Sequence, residues 1–251
     1  MMRYLLRLAY NGLTFNGWQI QPSSPSVQET LEQKLSMLLG EEIKVTGCGR
    51  TDTGVHANDF YAHFDCVKEG LDTEQLHYKL NAVVPNSIVI KALRGVQKDF
   101  HARFSATARQ YHYYITLVKN PFNENRWWVR QSLDVHAMQK AASFILDYSD
   151  FTSFSKLHTD AKTNICDVME VELNLIGEEI VISITANRFL RNMVRAIVGT
   201  LVEIGLGKRS PEDMKRIIEA RDRGEAGVSA PAQGLFLSAI QYPDELIKAI
   251  R

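Results

Sequence analysis

Several short segments of the chain alternate hydrophobic and polar residues, and this period of two is typical of β-strands that bury one face. Residues 58–66 show it clearly, with Phe60, Ala62, Phe64 and Cys66 on one side. We predict further strands at residues 3–10, 43–48, 87–96, 109–118, 165–176, 179–187 and 235–242. Gly177 separates two of these segments, which are therefore expected to form a hairpin.

Other segments place hydrophobic residues three or four positions apart, the period of an amphipathic helix. The first begins at Ser26, which forms a capping box with Glu29, and its hydrophobic side carries Val27, Leu31, Leu35, Leu38 and Leu39. We predict further helices at residues 72–84, 134–147, 189–204 and 210–221, the last with Pro211 in its first turn.

The order of these elements is β-α-β-β-α-β, and it is repeated once. This order predicts an α+β protein made of two ferredoxin-like units, each an antiparallel sheet with helices on one face. The junction is expected near residues 98–108. We therefore expect an N-terminal domain at residues 1–104 and a C-terminal domain at residues 105–251.

Composition adds limits on the class of protein. The 251 residues carry 29 basic and 29 acidic side chains, a balance that argues against a histone-like binder but allows a local basic groove. Three widely spaced cysteines, with no pair in a Cys-x-x-Cys motif, indicate reduced thiols in a cytosolic protein. We find no signal peptide and no apolar stretch of about twenty residues, so no membrane span is expected.

The segment Gly49-Arg50-Thr51-Asp52-Thr53-Gly54-Val55-His56-Ala57 is the strongest candidate for chemistry. It follows a predicted strand, its glycines indicate a tight turn or a close approach, and an arginine near an aspartate favours the ionised carboxylate. Asp52 is therefore a candidate nucleophile or general base, although a loop aspartate can also simply form a turn. His56 is a candidate acid or base, or a hydrogen-bond partner of the loop.

Three arginines occur at the start of the predicted helix at residues 189–204. Arg188, Arg191 and Arg195 are spaced three and four apart, so on a helix they would share one face. Arginine binds phosphate and carboxylate through two parallel hydrogen bonds. This face therefore suits an RNA backbone or a catalytic carboxylate, unless it is ordinary solvated surface.

Basic and aromatic residues are interleaved at residues 100–114, a segment that includes Arg103, Arg109 and Tyr111. Aromatic rings stack on unpaired bases and arginines bind phosphate, so this pattern is typical of contacts to single-stranded or flipped RNA. Tyrosines also favour strands without any such role. The same two readings, base stacking or ordinary packing, apply to Trp127 and Trp128.

Motifs for other mechanisms are missing from the sequence. It has no Gly-x-Gly-x-x-Gly, no phosphate-binding Walker loop, no Gly-x-Ser-x-Gly elbow and no His-Glu-x-x-His motif. The seven histidines and three cysteines also lack metal-ligand spacing. We therefore expect no nucleotide cofactor and no zinc site.

The segment at residues 49–57 closely resembles the catalytic motif of the TruA family of tRNA pseudouridine synthases. Five further blocks resemble the same family in the same order: Tyr10-Asn11-Gly12 with Gly17-Trp18-Gln19, then residues 99–106, 150–154, 189–195 and 234–237. Thr53 stands where the family commonly has alanine, and Asn11 where it often has aspartate.

The resemblance implies two RRM-like units joined around a central cleft in the pseudouridine synthase fold. It implies isomerisation of uridine to pseudouridine at positions 38, 39 and 40 of the tRNA anticodon arm, without metal or cofactor. It also implies a cytoplasmic homodimer in which one tRNA touches both subunits.

The resemblance also implies roles for single residues. Asp52 matches the catalytic aspartate, Arg50 the arginine associated with base flipping, and Tyr111 the tyrosine that contacts the substrate. Arg195 matches the basic residue expected to pair with the aspartate, and Leu235, in the last of the matching blocks, is a candidate substrate contact.

Two alternatives remain open on the sequence. A catalytically silent RNA-binding protein with tandem RRM-like modules would also show basic and aromatic surface, although the usual RRM octapeptide is missing. A hydrolase that cleaves the same glycosidic bond would release free uracil. For the isomerase, the pattern does not distinguish attack at C1′, attack at C6 or removal of a sugar proton by Asp52.

Overall fold

The chain folds into a mixed α/β structure, and the computed structural model describes residues 1–22, 24–68, 70–156 and 162–247. Within these ranges the strands are β1 Met2–Tyr10, β2 Val45–Gly47, β3 His56–Cys66, β4 Ile88–Val96, β5 Ala108–Thr116, β6 Trp127–Trp128, β7 Val168–Ile176, β8 Glu179–Ala186 and β9 Leu235–Gln241. The helices are α1 Val27–Leu39, α2 Thr73–Val83, α3 Val135–Ser143, α4 Met193–Gly205, α5 Asp213–Ala220 and α6 Asp244–Ile247.

The first of two structural units contains residues 1–107 and the segment that begins at Leu237. Its central strand β1 pairs antiparallel with β3 on one side and β4 on the other, and β2 pairs with the outer edge of β3. Helices α1 and α2 contact each other. The core includes Phe60 and Phe64 of β3, and Tyr4 stacks on Phe64 with ring centroids 5.5 Å apart.

The N-cap of the predicted capping box at the start of α1 is confirmed. The Ser26 hydroxyl accepts a hydrogen bond from the backbone amide of Glu29 at 3.2 Å, which satisfies one of the amides that have no partner within the helix. Gly40 ends the helix with a φ of 72°, a left-handed conformation that glycine adopts without strain. A serine N-cap and a glycine C-cap thus define the two ends of α1.

The second unit contains residues 108–236. Strand β8 lies between β5 and β7, antiparallel to both, and the predicted β7–β8 hairpin turns at Gly177, whose φ is 60°. Helix α4 is almost wholly buried and packs against α3. Trp127 and Trp128 form the short β6, parallel to β5.

The prediction of a helix at residues 189–204 was wrong at its N-terminal end. Helix α4 begins at Met193, and the preceding Asn192 has a φ of 68°, a left-handed conformation in which an α-helix cannot continue. Arg188 and Arg191 therefore lie before the helix, and only Arg195 lies on it. The expected helix face of three arginines does not exist.

The C-terminal segment, which begins at Leu237, belongs to the first unit, whereas we expected every residue after 104 to belong to the second domain. Its backbone and side chains bond to the first unit: Thr107 donates its amide to the carbonyl of Gln241 at 2.8 Å, and the Tyr242 hydroxyl donates to the carbonyl of Ala102 at 2.6 Å. The second compact unit of the structure is residues 108–236, whereas the sequence predicted a domain of residues 105–251. These long-range bonds leave no signal in local sequence.

Two smaller differences concern helix ends. The helix predicted at residues 134–147 continues after Ser143 as a 3-10 turn at Phe144–Asp147. The helix predicted from residue 210 begins at Asp213, because the Asp213 carboxylate accepts hydrogen bonds from the amide and hydroxyl of Ser210 and thereby closes a turn first. None of the helices in the described ranges is long and apolar enough to cross a membrane.

Candidate active site

Asp52 lies in a tight turn between β2 and β3. The backbone amide of Val55 donates to the Asp52 carbonyl at 3.1 Å, and Gly54 adopts a φ of 78°, so this turn requires the glycine that the sequence provides. The Asp52 side chain is half-buried, while Arg50 and Thr53 are exposed. We name residues 49–57 the Asp52 loop.

Thr51 fixes the Asp52 loop to the first strand. Its hydroxyl is hydrogen-bonded to the Tyr10 hydroxyl at 2.9 Å, and its carbonyl accepts the backbone amide of Trp18 at 3.2 Å. Gly17 lies so close that a Cβ atom there would be 2.3 Å from the Thr51 carbonyl oxygen. The residue before Asp52 is therefore held by both side-chain and backbone contacts.

The other end of the Asp52 loop rests against Gly12. The Gly12 amide donates to Nδ1 of His56 at 3.2 Å, and a Cβ at Gly12 would lie 2.0 Å from the Val55 carbonyl oxygen. His56 is buried, with 1% of its surface exposed. This contact supports the interpretation of His56 as a residue that holds the loop rather than as a proton donor or acceptor.

Asn11 caps the short 3-10 turn that carries Gly12, since its side-chain oxygen accepts the Leu13 amide at 3.1 Å. An aspartate could accept the same bond, so the departure from the family pattern at this position keeps the local structure. The residues at positions 10–12 and 17–19 thus form the support of the Asp52 loop, a role that the resemblance alone did not assign.

Trp18, one of the residues of this support, packs in an aromatic cluster with Phe60 and Tyr10. Its ring stacks on Phe60 with centroids 4.1 Å apart and lies 6.3 Å from Tyr10. Gly47, at the end of β2, makes room for it, because a Cβ there would lie 2.5 Å from the indole. The rigid position of the Asp52 loop therefore depends on an aromatic cluster whose members come from three separate segments.

Tyr111 lies in the second unit, on β5, and is half-buried. Its ring is perpendicular to that of Phe189, at 87° with centroids 5.0 Å apart, an edge-to-face arrangement that fixes the plane of the tyrosine. Two residues on, the buried Tyr113 donates its hydroxyl to the carbonyl of Pro231 at 2.7 Å, and burial raises its pKa above the usual value.

Arg195 extends from the first turn of α4 and is held at its backbone and its side chain by one residue. Its Nε donates to the carbonyl of Ala230 at 2.7 Å, and the Ala230 amide donates to the Arg195 carbonyl at 2.9 Å. The bond at Nε fixes the plane of the guanidinium. Leu235, the first residue of β9, is buried with 6% of its surface exposed.

The four arginines expected to contact the RNA backbone have different surroundings. Arg103 and Arg191 are exposed, and the Arg103 guanidinium lies 5.6 Å from the ring of Phe104. Arg109 donates to the carbonyl of Asn187 at 2.9 Å. Arg188 donates to that of Thr163 at 3.2 Å. Arg188 and Arg109 are therefore engaged with loop backbone.

The backbone around Arg103 is hydrogen-bonded to two histidine rings. The Ala102 amide donates to Nδ1 of the buried His63 at 3.1 Å, and the Arg103 and Phe104 amides both donate to Nδ1 of His101. Mainly through burial, the pKa of His63 is lowered to about 4, so the ring stays neutral and keeps accepting this bond near neutral pH. Sequence analysis did not identify either histidine.

The structure divides the candidate residues between its units. Arg50, Asp52 and Arg103 belong to the first unit, and Tyr111, Arg195 and Leu235 belong to the second. Among the described residues, no group of three or more histidine, cysteine, aspartate or glutamate side chains is arranged to hold a metal ion. Within the first unit, the Asp52 loop carries one half-buried carboxylate, that of Asp52, and one exposed arginine, Arg50.

Comparison with known proteins gives consistent matches. Residues 148–243 match the family model described as tRNA pseudouridine synthase. The chain is 50% identical over 250 residues to tRNA pseudouridine synthase A of Bacteroides fragilis, covering 99% of both chains. It is 50% identical to the enzyme of that name from Bacteroides thetaiotaomicron, covering 98% of this chain and 93% of that one. For the Brevibacillus brevis enzyme the identity is 41%, over 96% and 100% of the two chains. This chain belongs to the tRNA pseudouridine synthase A family.

Proposed function

We propose that this protein isomerises uridine to pseudouridine in the anticodon arm of tRNA, at positions 38, 39 and 40, with Asp52 as its catalytic residue. The rigid presentation of this one carboxylate carries the proposal, together with the family to which the chain belongs. The reaction needs no cofactor in this proposal. A catalytically silent RNA-binding protein would not require the hydrogen bonds and close backbone contacts that hold this one aspartate.

The reaction breaks the glycosidic bond between C1′ and N1, rotates the uracil, and joins C5 to C1′. The proton on C5 is lost to solvent and N1 gains one, so the mass of the RNA is unchanged. Asp52 can attack C1′, attack C6 or remove a sugar proton, and each route needs an ionised carboxylate held in place. Precise placement matters because an error of about 1 Å costs on the order of a hundredfold in rate.

The uridine must leave the base stack before Asp52 can reach it, which costs a few kcal/mol. In the proposal, Tyr111 stacks on the extruded base, Arg50 assists the flipping and Leu235 contacts the base. The perpendicular packing of Tyr111 on Phe189 supports this role, because a ring whose plane is fixed loses little entropy on stacking. Base stacking on an aromatic side chain contributes roughly 1–3 kcal/mol, enough to offset much of the extrusion cost.

Arg195 is proposed as the basic partner of the catalytic carboxylate. Its guanidinium plane is fixed at Nε by the Ala230 carbonyl, which supports a role that needs directional hydrogen bonds rather than diffuse charge. Arg103 and Arg191 are proposed to contact tRNA phosphates, with Arg109 and Arg188 as further candidates.

The proposal also includes the setting of the enzyme. We infer a cytoplasmic homodimer that binds one tRNA with both subunits. We also infer that both units are ferredoxin-like, RRM-like modules. The strand order β4-β1-β3-β2 in the first unit supports this, since the first, third and fourth strands of that fold adjoin in the same way.

The central test compares Asp52→Asn and Asp52→Ala with the unmodified protein. Turnover is followed by tritium release from 5-tritiated uridine in tRNA, and binding by filter retention. Turnover should vanish while the Kd for tRNA changes less than about threefold, because a catalytic carboxylate acts mainly on the transition state. Substantial residual turnover in Asp52→Ala would contradict the assignment.

Asp72→Asn is the matched control. Asp72 caps α2 by accepting the Gln75 amide at 2.9 Å, and asparagine caps helices equally well, so this change removes one exposed negative charge from the same unit without loss of structure. Its turnover should equal that of the unmodified protein. Mass spectrometry of the tRNA product separates isomerisation from a hydrolase, which would lower the mass of the RNA by loss of uracil.

A further inference from the structure

Residues 223–231 form a loop that follows α5 and crosses the surface of α4, here named the 223–231 loop. Its backbone contacts the helix directly. Gly199 of α4 makes this possible, because a Cβ at that position would lie 1.8 Å from the carbonyl oxygen of Val228. The loop ends at Ala230 and Pro231, whose carbonyls accept hydrogen bonds from Arg195 and Tyr113.

Two side chains of α4 hold the middle of this loop. The Thr200 hydroxyl accepts the amide of Gly227 at 2.9 Å, and Oε1 of Glu203 accepts the amide of Val228 at 3.2 Å. Glu203 is itself fixed by Arg209, whose Nε donates to Oε2 at 2.7 Å. The backbone of the loop is therefore tied to the helix that carries Arg195.

Arg223 holds the loop from within. Its Nη1 donates to the carbonyls of Ala226 and Gly227 at 3.3 and 3.2 Å, and its Nη2 donates to the Ser229 hydroxyl at 3.0 Å. The same hydroxyl accepts Nδ2 of Asn192 at 2.6 Å. One guanidinium thus connects three points of the loop and, through Ser229, Asn192, the residue that directly precedes α4.

We propose that Arg223 is a positioning residue for the pseudouridine synthase reaction: it fixes the 223–231 loop so that the Ala230 carbonyl holds the Arg195 guanidinium in its working plane. Ala230 directly follows Ser229, so a shift at Ser229 is transmitted to the carbonyl that accepts Nε of Arg195. The inference rests on the proposed function, because it gives Arg195 a role in the reaction.

The arginine is required for its shape as well as its charge. A planar guanidinium donates in several fixed directions, whereas a lysine ammonium is a compact charge on a flexible stem. Arg223→Lys therefore keeps the charge but loses the simultaneous bonds to two carbonyls and a hydroxyl. We expect the single-turnover rate constant to fall about 10- to 100-fold, as for other distant changes that misplace a reacting group by about 1 Å. The Kd for tRNA should change less than threefold.

The control is Arg221→Lys. Arg221 lies two residues away, is exposed, and forms an ion pair with Asp150 at 3.0 Å that a lysine can also form. Its rate constant should match that of the unmodified protein. An equal loss of rate in both variants would overturn the proposal, because a general sensitivity of this segment to the replacement of arginine would then explain the effect.

A double-mutant cycle distinguishes positioning from ordinary structural support. If Arg223 acts through Arg195, Arg223→Lys should slow an Arg195→Lys protein less than twofold, since the group that it positions has already been altered. The same 10- to 100-fold loss in both backgrounds would overturn the proposal, as would no loss in either. Melting temperatures of all four proteins show whether the variants fold, and Ser229→Ala, which removes the shared acceptor, should reproduce the rate loss if Arg223→Lys does not fold.

Failure of this inference is distinguishable from failure of the proposed function. If the function itself were wrong, the unmodified protein would release no tritium from 5-tritiated tRNA. If only the inference were wrong, the unmodified protein would be active. Arg223→Lys would then either leave its rate unchanged or slow the unmodified and the Arg195→Lys proteins by the same factor.

Discussion

Replacement of Gly12 by alanine tests whether the position of Asp52, the proposed catalytic residue, depends on the contacts that hold its loop. The new Cβ would lie 2.0 Å from the carbonyl oxygen of Val55, and ordinary van der Waals contact begins at about 3.4 Å. The two atoms must therefore separate by about 1.4 Å. Both are backbone-bound and buried, so the Asp52 loop must move as a body, and the hydrogen bond from the Gly12 amide to His56 must lengthen or break.

The expected cost of this shift appears in both stability and rate. Overpacking of a buried contact typically costs about 1–3 kcal/mol of unfolding free energy. For a chain of this size each kcal/mol lowers the melting temperature by roughly 2–4 °C. A displacement of more than about 1 Å at the catalytic group should lower the single-turnover rate constant on the order of a hundredfold. Binding of tRNA should change little, because none of the arginines proposed to contact phosphate belongs to the Asp52 loop.

The assay is tritium release under single-turnover conditions, with filter binding and a thermal melt on the same preparations. Gly95→Ala is the control, since Gly95 lies in the same unit and a Cβ there would have no atom of the described part of the chain within 4 Å. It should melt and turn over like the unmodified protein. If Gly12→Ala also did so, the close contact would not restrain Asp52 and the reasoning would be refuted.

Three further predictions concern other contacts. Tyr10→Phe removes a buried hydrogen bond to Thr51 and should cost about 1–3 kcal/mol in chemical denaturation, together with a slower turnover; unchanged values for both would contradict the bracing role. Arg191→Gln should reduce the salt dependence of tRNA binding by about one unit of slope, whereas Arg216→Gln, whose arginine pairs with acidic neighbours, should not; equal slopes would remove Arg191 from the RNA contacts. The pKa of His63 is about 4 in the folded protein, against 6.5 for a histidine in the unfolded chain. The unfolded chain therefore binds the proton more readily, and the free energy of unfolding should fall as pH drops from 6.5 to 4. Melts at about pH 7.5 and about pH 5 should differ less in His63→Gln, and an identical difference would exclude this histidine as the cause.

Sequence patterns predicted most of the elements because strand and helix periods are local properties. The capping box at Ser26 and the glycine turn at Gly177 were located for the same reason, since each depends on neighbours a few residues apart. The error at the start of α4 has a physical cause as well. Hydrophobic period alone does not show that Asn192 adopts a left-handed conformation, which depends on its side-chain bond to Ser229 in a distant loop.

Of the candidate site, sequence resemblance provided the residue types, and composition alone provided very little. The resemblance singled out Asp52, Tyr111 and Arg195, whose roles remain predictions. It did not show that Gly12 and Trp18 support the Asp52 loop, or that a loop near residue 230 holds Arg195. Gly49 illustrates the opposite case, because no atom of the described residues lies within 4 Å of where its Cβ would be, and no contact among those residues explains the glycine.

By itself, the amino-acid sequence determined the fold class, the approximate limits of the elements, the family and the residue on which the chemistry is proposed to depend. Tertiary structure decided what holds that residue. The bonds from Tyr10 to Thr51 and from Gly12 to His56 join positions 41 and 44 residues apart, and Arg195 is joined to Ala230 across 35. Such pairs leave no periodic trace, because their partners meet only after the sheets and helices have packed. Local pattern therefore located the aspartate, and only packing showed how it is held still.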